Sequence, residues 1–328
     1  MKNKLLTLAS LLAAFNLNAI EIGPTGSGVE MSGFVDVFYE EVGTVAGDAT
    51  GAQVEVNFNY STGPVSAAVG LDFGNGSVYG NTDSNLEEAY ITYDLGNGFS
   101  VTAGKMLTYM GFEAFDAPNM YQFSYAYDVA YRNSVTTAGA QDIYDAHDYG
   151  ASIDYSADTF SIGVWSSIEQ DAGYELALAY TGIENLTAKA IWSDFGEQGY
   201  EKSTYWVSYS IGDFLLAAEI AESDEQAGAF GGGAATQTGY DVDGAMIMAN
   251  YSYSDALAIT LRYSETEYTN FNDNVMQYDG SKITISPSYI FTDNLAGLIE
   301  YSSYDADTVS AAMAEPDESL AVEFIYTF

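Results

Sequence analysis

Thr62-Gly63-Pro64 separates two runs, Gln53-Val54-Glu55-Val56-Asn57-Phe58-Asn59-Tyr60 and Val65-Ser66-Ala67-Ala68-Val69-Gly70-Leu71-Asp72-Phe73, in which apolar residues recur at every second position. Side chains of a β-strand alternate between its two faces, so each run reads as a strand with one apolar and one mostly polar face. The turn-forming tripeptide between them makes the pair a hairpin. The same period returns at Phe160, Ile162 and Val164, and again at Leu257, Ile259, Leu261 and Tyr263 around Thr260, Arg262 and Ser264.

Working outward, about 16 such segments fill the chain, each near the roughly 9 to 11 residues that a tilted membrane strand needs. Their expected spans are 30–40, 51–60, 64–73, 85–95, 98–105, 147–156, 159–168, 172–181, 185–194, 202–211, 213–222, 243–253, 256–266, 280–291, 294–304 and 318–328. Two kinds of connection take turns between them. Short ones carry Gly96-Asn97-Gly98, Ala157-Asp158, Gly182-Ile183-Glu184, Gly212-Asp213, Asp255 and Thr292-Asp293-Asn294. Longer, more acidic ones run over 74–84, 106–146, 222–242 and 306–317. Short turns on one rim and long loops on the other define an all-β transmembrane antiparallel barrel, with periplasmic turns and extracellular loops. Tyr60, Tyr93, Phe99, Tyr155, Phe160, Tyr180, Tyr209, Phe214, Tyr253 and Phe291 stand beside the short turns, where an aromatic girdle belongs. A soluble all-β protein shares the alternation, but not the regular exchange of turn and loop.

The N-terminus points the same way. Lys2 and Lys4 precede the apolar run Leu5–Phe15, and a short polar stretch leads to Ala19. That order is a secretory signal peptide over residues 1–19, too short to cross a bilayer as a helix, with a single barrel domain over 20–328. Cys is absent, so there is no disulfide framework and no thiolate metal site. The formal charge is −39, and loss of Lys2 and Lys4 with the leader takes it to −41. Nucleic acid and anionic lipid surfaces would be repelled. Acidic disordered chains are poor in aromatics, whereas this one holds 28 Tyr and 17 Phe, so it is ordered.

The last strand ends Phe324, Tyr326, Phe328, a pattern that resembles the assembly signal of Gram-negative outer-membrane proteins, with Glu323 where that signal has glycine. Gly104-Lys105, Gly111-Phe112-Glu113, Asp116-Ala117-Pro118-Asn119 and Tyr121 together resemble the OmpL-like β-barrel porin family. The resemblance implies a cell outer-membrane porin of a Gram-negative bacterium, passing small hydrophilic solutes by passive diffusion. It also implies contact with outer-membrane lipids, lipopolysaccharide and the assembly machinery, and a homotrimer.

The 106–146 connection is the third long loop, and general porins fold theirs into the lumen. About 40 residues is too long for a passive connector. Glu113, Asp116 and Arg132 are the expected constriction residues; a loop packed outside or over the mouth is the other arrangement. If apolar residues face lipid, the opposite phase places Asp36, Glu55, Asp72, Asp94, Asp154, Glu175, Glu219, Glu300 and Glu323 in the lumen, against Lys189, Arg262 and Lys282. Such a surplus of carboxylates favours small cationic or neutral solutes. Lys105 falls in the lipid phase, which predicts a strand end or bulge at Gly104.

Two other classes remain. An adhesin or purely structural barrel has the same sequence pattern. A barrel enzyme needs a base or nucleophile, and the one His, His147, stands at a strand start near the rim, so no catalytic residue is assigned. Asp241-Val242-Asp243-Gly244 opens like a calcium loop but lacks the rest of that pattern, so neither metal nor cofactor is expected.

Overall fold

The structure, a computed structural model, describes residues 19–23, 26–43, 47–76, 86–113, 116–127, 143, 147–168, 173–195, 200–225, 240–270, 276–308 and 317–328. Residues 1–18 of the expected signal peptide 1–19 and Arg132 lie outside the described residues, as do the side chains of His147 and Asp148.

The strands are β1 (Ile20–Glu21), β2 (Val29–Val42), β3 (Gly47–Thr62), β4 (Val65–Gly76), β5 (Leu86–Gly96), β6 (Phe99–Leu107), β7 (His147–Ser156), β8 (Phe160–Ser167) and β9 (Tyr174–Tyr180). They continue as β10 (Leu186–Phe195), β11 (Tyr200–Ile211), β12 (Phe214–Glu225), β13 (Tyr240–Ser252), β14 (Leu257–Asn270), β15 (Met276–Thr292), β16 (Leu295–Thr308) and β17 (Glu318–Thr327). From β2 onward each strand pairs antiparallel with the next, and β17 returns to β2, so sixteen strands close into one barrel. Closure leaves no open edge, so the strands that cross a bilayer core pair their backbones with one another, as that core demands. The short β1 lies outside this count and adds to β2 through Ile20 and Met31.

Several strands run past their expected ends on the long-loop rim: β3 starts at Gly47, β12 reaches Glu225, β15 starts at Met276 and β16 reaches Thr308. The expected spans followed apolar alternation, and backbone pairing continues where the outward side chains are polar, as at Asp243, Asp305 and Asp307. Asp241-Val242-Asp243-Gly244 is therefore paired strand in β13, facing β12 and β14, rather than an ion-binding loop. Asp305 and Asp307 stand exposed on β16 for the same reason.

Val69, Ile162, Leu178 and Ile259 are exposed on the outer face, with Val56 and Val322 half-buried in the same phase. Beside the short turns, rings meet along the barrel: Phe99 and Tyr155 at 4.6 Å, Tyr155 and Phe160 at 5.8 Å, Phe214 and Tyr251 at 4.6 Å, Tyr289 and Phe291 at 5.1 Å. Phe324 and Tyr326 are exposed in the outward phase, and Phe291 reaches Phe324 at 6.0 Å. The strand does not end at Gly104. Pairing of β6 with β7 continues to Leu107, and the irregularity sits in Gly104 itself, whose φ of +142° and 2.1 Å approach of an added Cβ to the Ala89 carbonyl admit no side chain.

The packed core lies inside the barrel. Phe112, Tyr121, Ala126 and Tyr127, all from the segment after β6, bury against Ala217, Val242, Met246, Tyr268 and Tyr278 of the inner wall.

Candidate functional site

The described residues 108–113 and 116–127 follow β6 and lie in the lumen. Their backbone amides donate to carboxylates of the inner wall: Tyr109 N–H to Glu175 at 3.0 Å, Phe112 N–H to Glu219 at 3.0 Å and Ser124 N–H to Glu300 at 3.0 Å. The Tyr109 hydroxyl donates to Asp154 at 2.7 Å, and burial together with that carboxylate pushes the phenol above its ordinary range. Irregular backbone has no ladder of its own, so these wall side chains supply the partners it lacks. Charge-assisted bonds of this kind contribute about 1.5 to 3 kcal/mol each.

Two wall cations complete the attachment. Arg262 pairs with Glu113 and also donates to the Ser124 carbonyl at 2.8 Å, the Ser124 hydroxyl at 3.0 Å and the Tyr125 carbonyl at 2.8 Å. Lys282 donates to the Ser124 hydroxyl and the Tyr125 carbonyl, and its ammonium stands 5.8 Å from the Tyr304 ring. Glu113 in turn accepts from Ala126 N–H at 2.7 Å and from Gln122 at 3.2 Å. Its charge is thus matched within the loop attachment.

Asp116 is placed differently. It precedes the short 3-10 turn Ala117–Asn119 on the opposite side of the lumen, where its neighbours are Glu55 of β3, Asp72 of β4, and Glu87 and Glu88 of β5. Burial pushes its carboxyl above the usual carboxylate range and the charge of Asp72 adds to this, while hydrogen bonds with Glu55 and Asn119 pull the other way. Neither Glu87 nor Glu88 was singled out in the sequence, although Glu88 shares the inward phase of Asp94. A bulge in the β4–β5 pairing, where Gly70 faces Glu88 and Leu71 faces Leu86, places Glu87 between two successive register positions and lets two consecutive carboxylates turn towards Asp116. An acidic residue in the lipid phase of β5 was the signal available.

Of the remaining inward residues, Asp36 and Glu323 meet across the β17–β2 seam. Lys189 stands 5.0 Å from the Trp206 ring. Asp94 is exposed at the short-turn rim, where it accepts from Gly96 N–H at 2.7 Å. Lys202 and Glu40 are also buried on the inner face. The inner wall is unevenly covered. Thr260, Arg262, Lys282, Thr284, Ser286 and Ser302 on β14–β16 are fully buried beneath the loop, whereas Ser66, Ala68 and Asp72 on β4, Thr92 on β5 and Ser100 and Thr102 on β6 keep partial exposure.

A closed sixteen-stranded barrel whose third long loop folds inward is the architecture of an outer-membrane porin channel. The chain belongs to the family described as "Putative beta-barrel porin-2, OmpL-like", whose model matches residues 32–328. Among solved structures it is similar to OmpF of Salmonella typhi in complex with daunomycin, at 15% identity and a TM-score of 0.64 over 94% of this chain and 100% of that one. An anion-selective porin from Comamonas acidovorans matches at 14% identity and a TM-score of 0.64, over 92% of this chain and 99% of that one. OmpT of Vibrio cholerae in its trimer form matches at 14% identity and a TM-score of 0.59, with the same coverage of 92% and 99%. At these identities the likeness concerns the fold alone. A comparison with curated proteins gives no match.

Proposed function

We propose that this porin is a passive diffusion channel that prefers cationic and neutral small solutes, with the 106–146 loop narrowing its lumen. The observation that carries the reading is the position of Asp116: its carboxyl meets Glu55, Glu87 and Glu88 on the side of the barrel whose inner wall stays partly exposed. Solutes pass along the β4–β6 wall, because the β14–β16 side is filled by the loop and its anchors. Glu113, Glu175, Glu219 and Glu300 hold the loop, and the carboxylates around Asp116 set the sign of the field. An anion-selective porin shares this fold, so selectivity follows from lining residues rather than from the barrel.

The same reading includes removal of residues 1–19 on export and insertion guided by Phe324, Tyr326 and Phe328. Outer contacts are lipid and lipopolysaccharide, and the assembly is a homotrimer, for which the trimer form of Vibrio cholerae OmpT is the support. Planar-bilayer recording of purified protein in asymmetric KCl tests the central claim. A reversal potential favouring potassium is expected. One favouring chloride overturns the selectivity, and absence of any conductance overturns the channel in favour of a structural or adhesive barrel.

A further inference from the structure

We infer that Glu55, Glu87 and Asp116 form a binding site for a hard divalent cation of the calcium type, held between the barrel wall and the inner loop. One carboxylate oxygen from each lies within 4.8 Å of the other two. Calcium binds oxygen at about 2.3 to 2.6 Å, so any two of its ligands stand at most about 5 Å apart. The three oxygens therefore fit one coordination sphere. A site with three carboxylates leaves room for water from the lumen to fill the six to eight positions calcium uses.

A second observation points to a ligand. Glu55 is only 4% exposed; Asn57 donates to its Oε1 and the Asp116 carboxyl meets it, but its Oε2 receives no hydrogen bond from any described donor. Asp72, its register partner on β4, likewise has a buried Oδ1 without a donor. A buried carboxylate oxygen left without a partner is costly, and an ion at this position removes the cost. Protein cations do not do so in full: Lys105 acts on Glu87, and its ammonium donates to the Leu86 carbonyl at 2.7 Å. No spacing motif announces the site. Its ligands come from a strand, a bulge in another strand and a loop, and meet only once the loop has entered the barrel.

The site rests on the channel reading only for its effect on current, so binding is tested apart from conduction. Folded, detergent-purified protein is stripped with EDTA and dialysed to equilibrium against radiolabelled calcium at physiological salt. Wild type is expected to take up calcium at one saturable site, and calcium is expected to raise its melting temperature. Both effects should be lost in the Glu55→Gln/Glu87→Gln variant and kept in Asp305→Asn/Asp307→Asn. Asp116→Asn, which leaves the barrel wall intact, provides the same comparison should the wall variant fold poorly. Wild type without saturable uptake overturns the site, as does undiminished uptake in Asp116→Asn. A shared proton in place of a metal also overturns it; this would appear as wild-type stability that responds to pH but not to calcium.

Discussion

Arg262 of β14 and Glu113 of the inner loop form an ion pair whose side chains are 0% and 3% exposed, across 149 positions of sequence. Removing one member leaves the other buried and uncompensated, at a cost of about 3 to 5 kcal/mol. Arg262→Met is therefore expected to lower the denaturant midpoint strongly and to make single-channel current noisier as the loop detaches. Arg262→Met combined with Glu113→Leu should recover most of the stability. A single variant as stable and as quiet as wild type would show that the pair does not hold the loop.

Selectivity should separate the two acidic loop residues. Asp116→Asn is expected to weaken cation preference more than Glu113→Gln, because the charge of Glu113 is already matched by Arg262. The surface pair Asp305→Asn/Asp307→Asn should change it least, since exposed charges are screened over roughly 8 to 10 Å at physiological salt. Reversal potentials in chelator-treated KCl decide this, and equal shifts for all three variants would remove Asp116 from the passage.

A dependence on pH follows from the raised carboxyl of Asp116. Its folded form holds the proton more tightly than the unfolded chain, whose carboxyl titrates near about 3.9. The linked stability is full below that value and is lost as pH rises through the folded one. With calcium removed, wild type should melt higher near about pH 5 than near about pH 7, and Asp116→Asn should show a smaller difference. The groups facing it, Glu55, Asp72, Glu87 and Glu88, remain in that variant, so any residual slope is theirs. An unchanged slope would assign the whole effect to the wall.

The outer face gives a mechanical test of phase. Val69→Lys and Ile247→Lys, at exposed apolar positions near mid-strand, should each destabilise the barrel by roughly 2 to 4 kcal/mol in lipid. Ala68→Lys, on the inward neighbour of Val69, should be tolerated. Unfolding in lipid vesicles measures both, and equal costs would reverse the assignment of faces.

Strand number, order and phase were legible because period two is a local property of each segment, as at Val54–Tyr60 and Val65–Phe73. Strand ends were less so, since pairing at Asp241–Gly244 continues where the outward positions are Asp241 and Asp243 in place of apolar residues. Length and position showed that the third loop was exceptional, but not where it goes. Its path depends on which wall groups, Glu175, Glu219, Arg262, Lys282 and Glu300, find its amides and carbonyls, and those partners lie 66 to 176 positions away. Glu87 escaped because the register shift between Gly70 and Leu71 adds one residue to β5 and breaks the alternation on which face assignment rests.

The β17–β2 seam is completed by Phe328, whose backbone exchanges two hydrogen bonds with Gly33, at 2.9 and 3.0 Å. Gly33 has no room for a side chain, because an added Cβ would stand 2.1 Å from the Glu55 carbonyl. Phe328 thus zips to a residue of β2, and contacts of such long sequence separation are slow to form. Until that zip closes, β2 and β17 are both open edges, each a template for pairing with another copy. The polypeptide must therefore travel unpaired from synthesis to membrane, and a truncation of a few C-terminal residues is a hazard of aggregation before it is a loss of transport.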